Sequence, residues 1–250
     1  MILFKKAADL HNHIDSQRKK GKSISFVPTM GALHAGHISL IEAARKTAPL
    51  TVCSIFVNPT QFNDPKDFAR YPVTIDKDIR MLEAAGCDLL FLPDEQEVYP
   101  DGPPTGSHYD LGFLETVLEG AFRPGHFQGV CMVVQRLLEM VNPDHLFLGQ
   151  KDYQQCMVIT RLIELMGAEQ RIKIHLCPTL REPDGLAMSS RNMRLNAEER
   201  ITAVEIFKTI TYIKNQLAPG DLQSLLVSAR GKLEAAGFRL DYLELTDTRT

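Results

Sequence analysis

SISFVPTMGALHAGHISLIEAARK (23–46) decides how this chain is read. SISFV (23–27) is a short apolar run of β-type residues, and from Gly36 to Lys46 the spacing becomes amphipathic and helical. A strand that feeds a helix through such a turn brings backbone N–H groups and the positive end of a helix to the strand's exit. Gly31 and Gly36 are expected to let a phosphate or a flat ligand approach the main chain. His34 and His37, three apart, are expected to face the same anion. Imidazole donates to phosphate without the strongly hydrated point charge of lysine.

The same alternation continues outward. TVCSIFV (51–57), DLLFL (88–92), HLFLG (145–149) and RIKIHL (171–176) read as strands. Ile75–Ala85, Gly129–Met140 and Tyr153–Met166 read as helices. Continuous apolar strands alternating with amphipathic helices predict an α/β fold, a Rossmann-like doubly wound parallel sheet with helices on both faces. Ligands of such sheets sit beyond the carboxyl ends of the strands, and the polar clusters after 27, 57, 149 and 176 fall there. Beyond Pro178 the pattern changes to a turn-rich connection, helices over Ala197–Leu217 and Asp221–Ala236, and an alternating run LDYLELTD (240–247) expected as a strand. The domains expected are therefore 1–178 and a smaller α+β domain over 179–250. YPDGPPTGSHYD (99–110) is expected as a surface loop.

The 250 residues are 44% apolar and 24% charged with a formal net charge of −3, which argues against a nucleic-acid-coating protein. No apolar run approaches a bilayer span, and MILFKKAADLHNH has no long apolar region or cleavage site of a signal peptide. Cys53, Cys87, Cys131, Cys156 and Cys177 are scattered without CxxC spacing, mostly in apolar runs, which points to core thiols in a reducing, cytoplasmic setting. HNH (11–13) reads as a solvated helix face, the acids of TIDKD (74–78) as a helix N-terminal turn with magnesium support as the alternative, and Met132 and Met157 as core.

Neither GxGxxG nor GxxxxGK[ST] is present, so the common phosphate loops are excluded. HxGH at a strand exit resembles the signature of the nucleotidylyltransferase superfamily and of class I aminoacyl-tRNA synthetases, whose second signature grips pyrophosphate. MSSRN (188–192), two hydroxyls and a guanidinium in a row, suits such a clamp, although alone it reads as a helix cap. PTMGALHAGH, SIFVNPTQF (54–62), ARYP (69–72), RPGHFQGV (123–130), LFLGQKDYQQ (146–155) and REPDGLAMSSRN (181–192) occur together and in order. Over Phe26–Leu195 the chain thus resembles the pantoate–β-alanine ligase (pantothenate synthetase) family.

The resemblance implies attack of a pantoate carboxylate on the α-phosphorus of ATP, giving pantoyl adenylate and pyrophosphate, then attack of β-alanine and loss of AMP. It implies His34 and His37 on the phosphates, with His37 as proton donor, and Lys151 as fixed positive charge. Ser189, Ser190 and Arg191 would close over the pyrophosphate. The ATP site carried over is Met30, Gly31, Ala32, Leu33, His34, Ala35, Gly36 and His37, then Gly149, Gln150, Lys151 and Asp152. Leu180 and Met188 complete it beside the Ser-Ser-Arg run. Gln61 and Gln155 suit the hydroxyls and carboxylate of pantoate, because an amide donates and accepts at once. Asn58, Arg123 and His126 are assigned with them to the pantoate and β-alanine pocket, with Asn58 alternatively a nucleotide or pocket-shaping residue and Arg123 and His126 alternatively orienting the pocket. Mg²⁺ is expected to bridge ATP phosphates with no protein ligands assigned, and a homodimer is implied. The family usually continues past the position of Thr250, so either an abbreviated C-terminal lid domain or a sequence short of its natural end is expected.

Three rivals remain from the residues. A transferase moving AMP or CMP onto a phosphate ester would need more cations than Gln61 and Gln155 supply. A class I synthetase would need a tRNA-binding extension. A non-catalytic nucleotide sensor would not need Lys151 and Ser-Ser-Arg as well as HxGH.

Overall fold

The computed structural model describes residues 1–103, 106 and 108–247, so part of the loop expected over 99–110 lies outside the described residues. The chain divides into two compact units, Met1–Leu180 and Arg181–Thr250.

The first unit runs β1 (Ile2–Phe4), α1 (Ala7–Arg18), β2 (Ile24–Thr29), α2 (Ala35–Thr47), β3 (Leu50–Ile55), α3 (Pro65–Ala69) and α4 (Ile75–Ala84). It continues with β4 (Leu89–Phe91), α5 (Glu95–Val98), α6 (Leu118–Phe122), α7 (His126–Val141), β5 (His145–Gly149), α8 (Tyr153–Leu165) and β6 (Lys173–Cys177). The six strands form one sheet in the order β1-β4-β3-β2-β5-β6, and every pairing is parallel.

The continuous apolar strands follow from burial on both faces. Ile24, Phe26, Val52, Leu89, Phe91, Leu146 and Leu148 point into a core shared with α1, α7 and α8. Their neighbours Val27, Cys53, Leu90 and Phe147 point the other way, into a core with Leu40, Ile41 and Ala44 of α2 and Leu82 of α4. Phe26, Phe91 and Phe147 are fully buried, each side chain contributing roughly 2–3 kcal/mol of transfer free energy. Met132 and Met157 pack against the first core as expected. The cysteines are free thiols, and burial pushes those of Cys87, Cys131 and Cys156 up to about 12, so they stay protonated.

From β2 the chain steps outward through β3 and β4, then returns to lay β5 on the opposite side of β2. The strand order reverses between β2 and β5, which makes the crevice at their carboxyl ends the natural ligand site of this topology. The β2–β5 register holds Ser25 opposite His145 and Phe26 opposite Leu146 and goes no further, and Pro28 beyond it has no N–H to donate.

The first strand, β1, is absent from the sequence expectation because three residues at a sheet edge carry no periodicity. HNH lies on α1 as expected, with His11 on its exposed side 3.3 Å from Asp15.

In the second unit, α9 (Ala197–Gln216) and α10 (Leu222–Ala235) bury Val204, Thr209, Ile213, Leu226, Ala229 and Leu233. Asn196 and Glu199 cap α9 reciprocally at 2.9 Å each, and Asp221 caps α10. The strand expected over 240–247 is not formed. Its alternation is real, but the unit supplies only an isolated Arg181–Ala187 bridge among the described residues, and an extended segment without a ladder partner is not a strand.

Candidate active site

In the turn from β2 into α2 the N–H groups of residues 31–34 all have protein partners. The Gly31 N–H reaches Thr29 Oγ1 at 3.2 Å, and that hydroxyl donates to Ser54 O at 2.8 Å. The N–H groups of Ala32 and Leu33 reach Asp78 Oδ2 and Oδ1 at 2.9 and 2.8 Å. The His34 N–H reaches His37 Nδ1 at 3.3 Å. Gly31 and Ala32 both have positive φ, +78° and +49°. A Cβ on Gly31 would also lie 3.0 Å from Ile55 and 3.1 Å from Asp78. The expected approach of a phosphate to the main chain at Gly31 is therefore corrected: glycine serves the turn and its packing, and the donors of residues 31–34 already have protein partners. Asp78 lies in the acidic first turn of α4 as expected, and is fully buried there as the anchor of this loop.

What the loop presents is side chains. The His34 and His37 rings lie 4.0 Å apart between centroids, with His34 as N-cap of α2. Burial lowers the affinity of both for a proton, and Lys151 beside them lowers it further. His37, which also feels His34, is held at about 3. Both rings are neutral at pH 7. Because His37 Nδ1 accepts from the His34 N–H, its proton resides on Nε2, which becomes a fixed donor. His34 Nδ1 is buried with no hydrogen-bond partner among the described residues.

Lys151 arrives from the other side of the crevice, on the 3₁₀ turn Gln150–Asp152 that follows β5. Its ammonium pairs with Asp152 at 3.0 Å and remains partly exposed. The reversal of strand order thus brings together two motifs 114 positions apart, from His37 to Lys151.

A second cluster surrounds Gln61, on the 3₁₀ turn Pro59–Gln61 after β3. Its amide touches Met30 Sδ at 2.9 Å, so Met30 links this cluster to the histidine loop. Asn58, expected to meet substrate, is fully buried. Its amide donates to Gly129 O (3.1 Å) and Gln61 Oε1 (3.3 Å), while its oxygen accepts from Thr60 Oγ1 and from the Tyr99 hydroxyl at 3.0 Å. His126 is buried too, and its Nδ1–H donates to Gln61 O at 2.8 Å. Both therefore support the Gln61 turn, in keeping with the pocket-shaping alternative for each. Gly129 completes the support, since a Cβ there would lie 2.3 Å from Thr60 O. Arg123 is half-buried and pairs with Glu119 at 3.3 Å.

Of the two glutamines opening α8, Gln154 is tied to Leu114 O and Val117 O, at 2.8 and 2.9 Å. The amide of half-buried Gln155 has no hydrogen-bond partner among the described residues and is the one open to a ligand. Among the described residues no group of three or more His, Cys, Asp or Glu gathers that could cage a metal ion. Among them, too, no helix is long and apolar enough to cross a membrane.

In the second unit, Ser189 is the N-cap of the 3₁₀ helix Ser190–Arg194 and accepts from the Arg191 N–H at 3.3 Å. Asn192 donates to Ala187 O at 3.0 Å, Ser190 is buried and Arg191 is exposed. The capping role of SSRN is realised, and its guanidinium remains at the surface. Leu180, the last residue of the first unit, is exposed, and Met188 is half-buried.

Roles found only in the structure are those of Tyr99, of Asp78 as loop anchor, and of Thr74, whose hydroxyl donates to Asp78 Oδ1 at 2.9 Å. Their partners lie tens of residues away, apart from the Thr74–Asp78 spacing of four, which is common to any helix start.

A protein-family model described as pantoate-beta-alanine ligase matches residues 2–250. Pantothenate synthetase of Cytophaga hutchinsonii is 42% identical over 253 aligned positions, covering 100% of this chain and 88% of the relative. Pantoate–beta-alanine ligase of Schizosaccharomyces pombe is 42% identical with the same coverage. The crystal structure of pantothenate synthetase from Thermus thermophilus superimposes with a TM-score of 0.90 at 39% identity, covering 99% of this chain and 88% of that one. The Francisella tularensis ligase, solved with β,γ-ATP and β-alanine, gives 0.87 at 39% identity, with coverage of 99% and 90%. With the parallel sheet, the histidine pair on its central strand's exit and this agreement along the whole chain, the protein belongs to the pantoate–β-alanine ligase family.

Proposed function

We propose that the chain condenses pantoate with β-alanine at the expense of ATP, through pantoyl adenylate, releasing AMP and pyrophosphate. The observation that carries the reading is the meeting of neutral His34 and His37 with Lys151 at the point where strand order reverses. Displacement at phosphorus needs in-line positioning and neutralised charge rather than a nucleophilic side chain. Lys151 supplies charge to the phosphates. The Nε2–H of His37 donates to an oxygen of the α-phosphoryl group as charge builds there. The unpartnered Nδ1 of His34 gains a partner only when a ligand, or water ordered by it, fills the site.

Gln61 and Gln155 hold pantoate from two strand exits, with Met30 touching Gln61 and Arg123 offered as the cation for the carboxylate of β-alanine. Residues 30–37 and 149–152, with Leu180, form the nucleotide site in the first unit. Ser189, Ser190 and Arg191, with Met188, are the second unit's candidates for pyrophosphate, which two hydroxyls and a guanidinium suit. Mg²⁺ bound with ATP would lower the charge of the phosphates that Lys151 and His37 meet, with no protein ligand assigned to it. The working form is a cytoplasmic homodimer. Incubation with ATP, pantoate and β-alanine tests the reading: equal yields of pantothenate and AMP support it. AMP or CMP attached to a phosphate ester, or ATP bound without turnover, would favour the rival transferase or a sensor.

A further inference from the structure

We propose that Asp78 is a positioning residue for adenylation: its buried carboxylate locks the Gly31–Leu33 turn in the left-handed form from which His34 and His37 are presented. This rests on the adenylation reading above. Two consecutive residues of positive φ are unusual, and Ala32, unlike Gly31, adopts that form against its own Cβ. Such a turn persists only where its surroundings over-determine it. Asp78 does so with one oxygen on each of two successive N–H groups, 2.9 Å to Ala32 and 2.8 Å to Leu33. Thr74 Oγ1 donates to Oδ1 at 2.9 Å and fixes the carboxylate in turn. Leu33, pinned in the second core, hands the chain to His34, whose N–H sets the His37 tautomer.

An ionised carboxylate is acceptor-only and can satisfy all three donors. An amide of the same shape cannot, because its NH₂ would face one of the two N–H groups. Asp78→Asn therefore removes the clamp while keeping the volume. Pantoate-dependent exchange of labelled pyrophosphate into ATP is measured at saturating substrates, with the melting temperature and the ¹⁵N shifts of the His37 ring at neutral pH. The expected result is a folded variant whose exchange per folded molecule falls about 100-fold. Its His37 should lose the single Nε2–H signature of the parent. Wild-type exchange with only a lowered melting temperature means that Asp78 is merely structural and overturns the proposal.

If Asp78→Asn does not fold, Thr74→Val decides: a loss of about fivefold is expected, and unchanged exchange overturns the proposal. No exchange by the parent protein would sink the adenylation reading instead. The tautomer needs no substrate, and its persistence in Asp78→Asn would still reject the clamp.

Discussion

The loop at residues 31–34 in the first unit and the segment at 189–194 in the second, each a candidate for meeting phosphate, differ in the named contacts that hold them. The first is held by contacts that reach across 45 and 46 positions of sequence to a buried carboxylate. The named contacts of the second span two and five positions, and its guanidinium lies at the surface. A group that must meet a developing charge within tenths of an ångström gains from being fixed beforehand. A group that closes on a leaving pyrophosphate and then releases it is better served by local, low-cost structure. Substitutions in the first region should therefore damage the chemical step, and those in the second should change capture and release.

The largest effect is expected at the fixed loop. His37→Ala should lower adenylation by about 10³-fold with the fold intact, and near-normal exchange would remove its role as donor. Arg191→Ala should cost about 10- to 100-fold, seen mainly as weaker retention of pyrophosphate. A variant with normal pyrophosphate inhibition would dissolve the contrast between the two regions. Gln61→Ala should raise the KM for pantoate about tenfold, more than that for ATP. If only ATP affinity moved, the two strand exits would have been assigned the wrong way round.

Burial of the loop also has a sign in pH. His37 sits at about 3 when folded, against an ordinary 6.5, so the unfolded chain takes up the proton first. Its contribution to stability is complete above 6.5 and is lost as pH falls from there towards 3. The limiting slope is about 1.4 kcal/mol per pH unit, and water reaching the half-buried ring makes the observed slope smaller. Urea midpoints between pH 7 and 4.5 should fall less in His37→Gln than in the parent. Parallel decline would mean that the ring is solvated.

Much of this is legible in sequence where the signal is local. HLFLG (145–149) gives the β5 strand to its ends, and apolar spacing gives α2, because periodicity and propensity act over a few residues. HxGH and GQKD stand out as motifs, and the parallel topology explains why residues so distant meet. The Asp78 clamp is not legible, since an acid in the first turn of a helix looks the same whether it faces solvent or a loop 45 residues away. Asn58 is only half legible for a related reason: composition marks an amide at a strand exit but not whether its lone pairs are already spent on Tyr99 and Thr60. LDYLELTD has strand alternation, but a strand is a property of two segments and the alternation describes only one.

The central claim is that His34, His37 and Lys151 activate pantoate on ATP before any amine is present. Exchange of labelled pyrophosphate into ATP, with Mg²⁺ and pantoate and no β-alanine, tests it directly. The account predicts exchange that requires pantoate and disappears in Lys151→Ala. Exchange independent of pantoate, or none while ATP still binds, would contradict it.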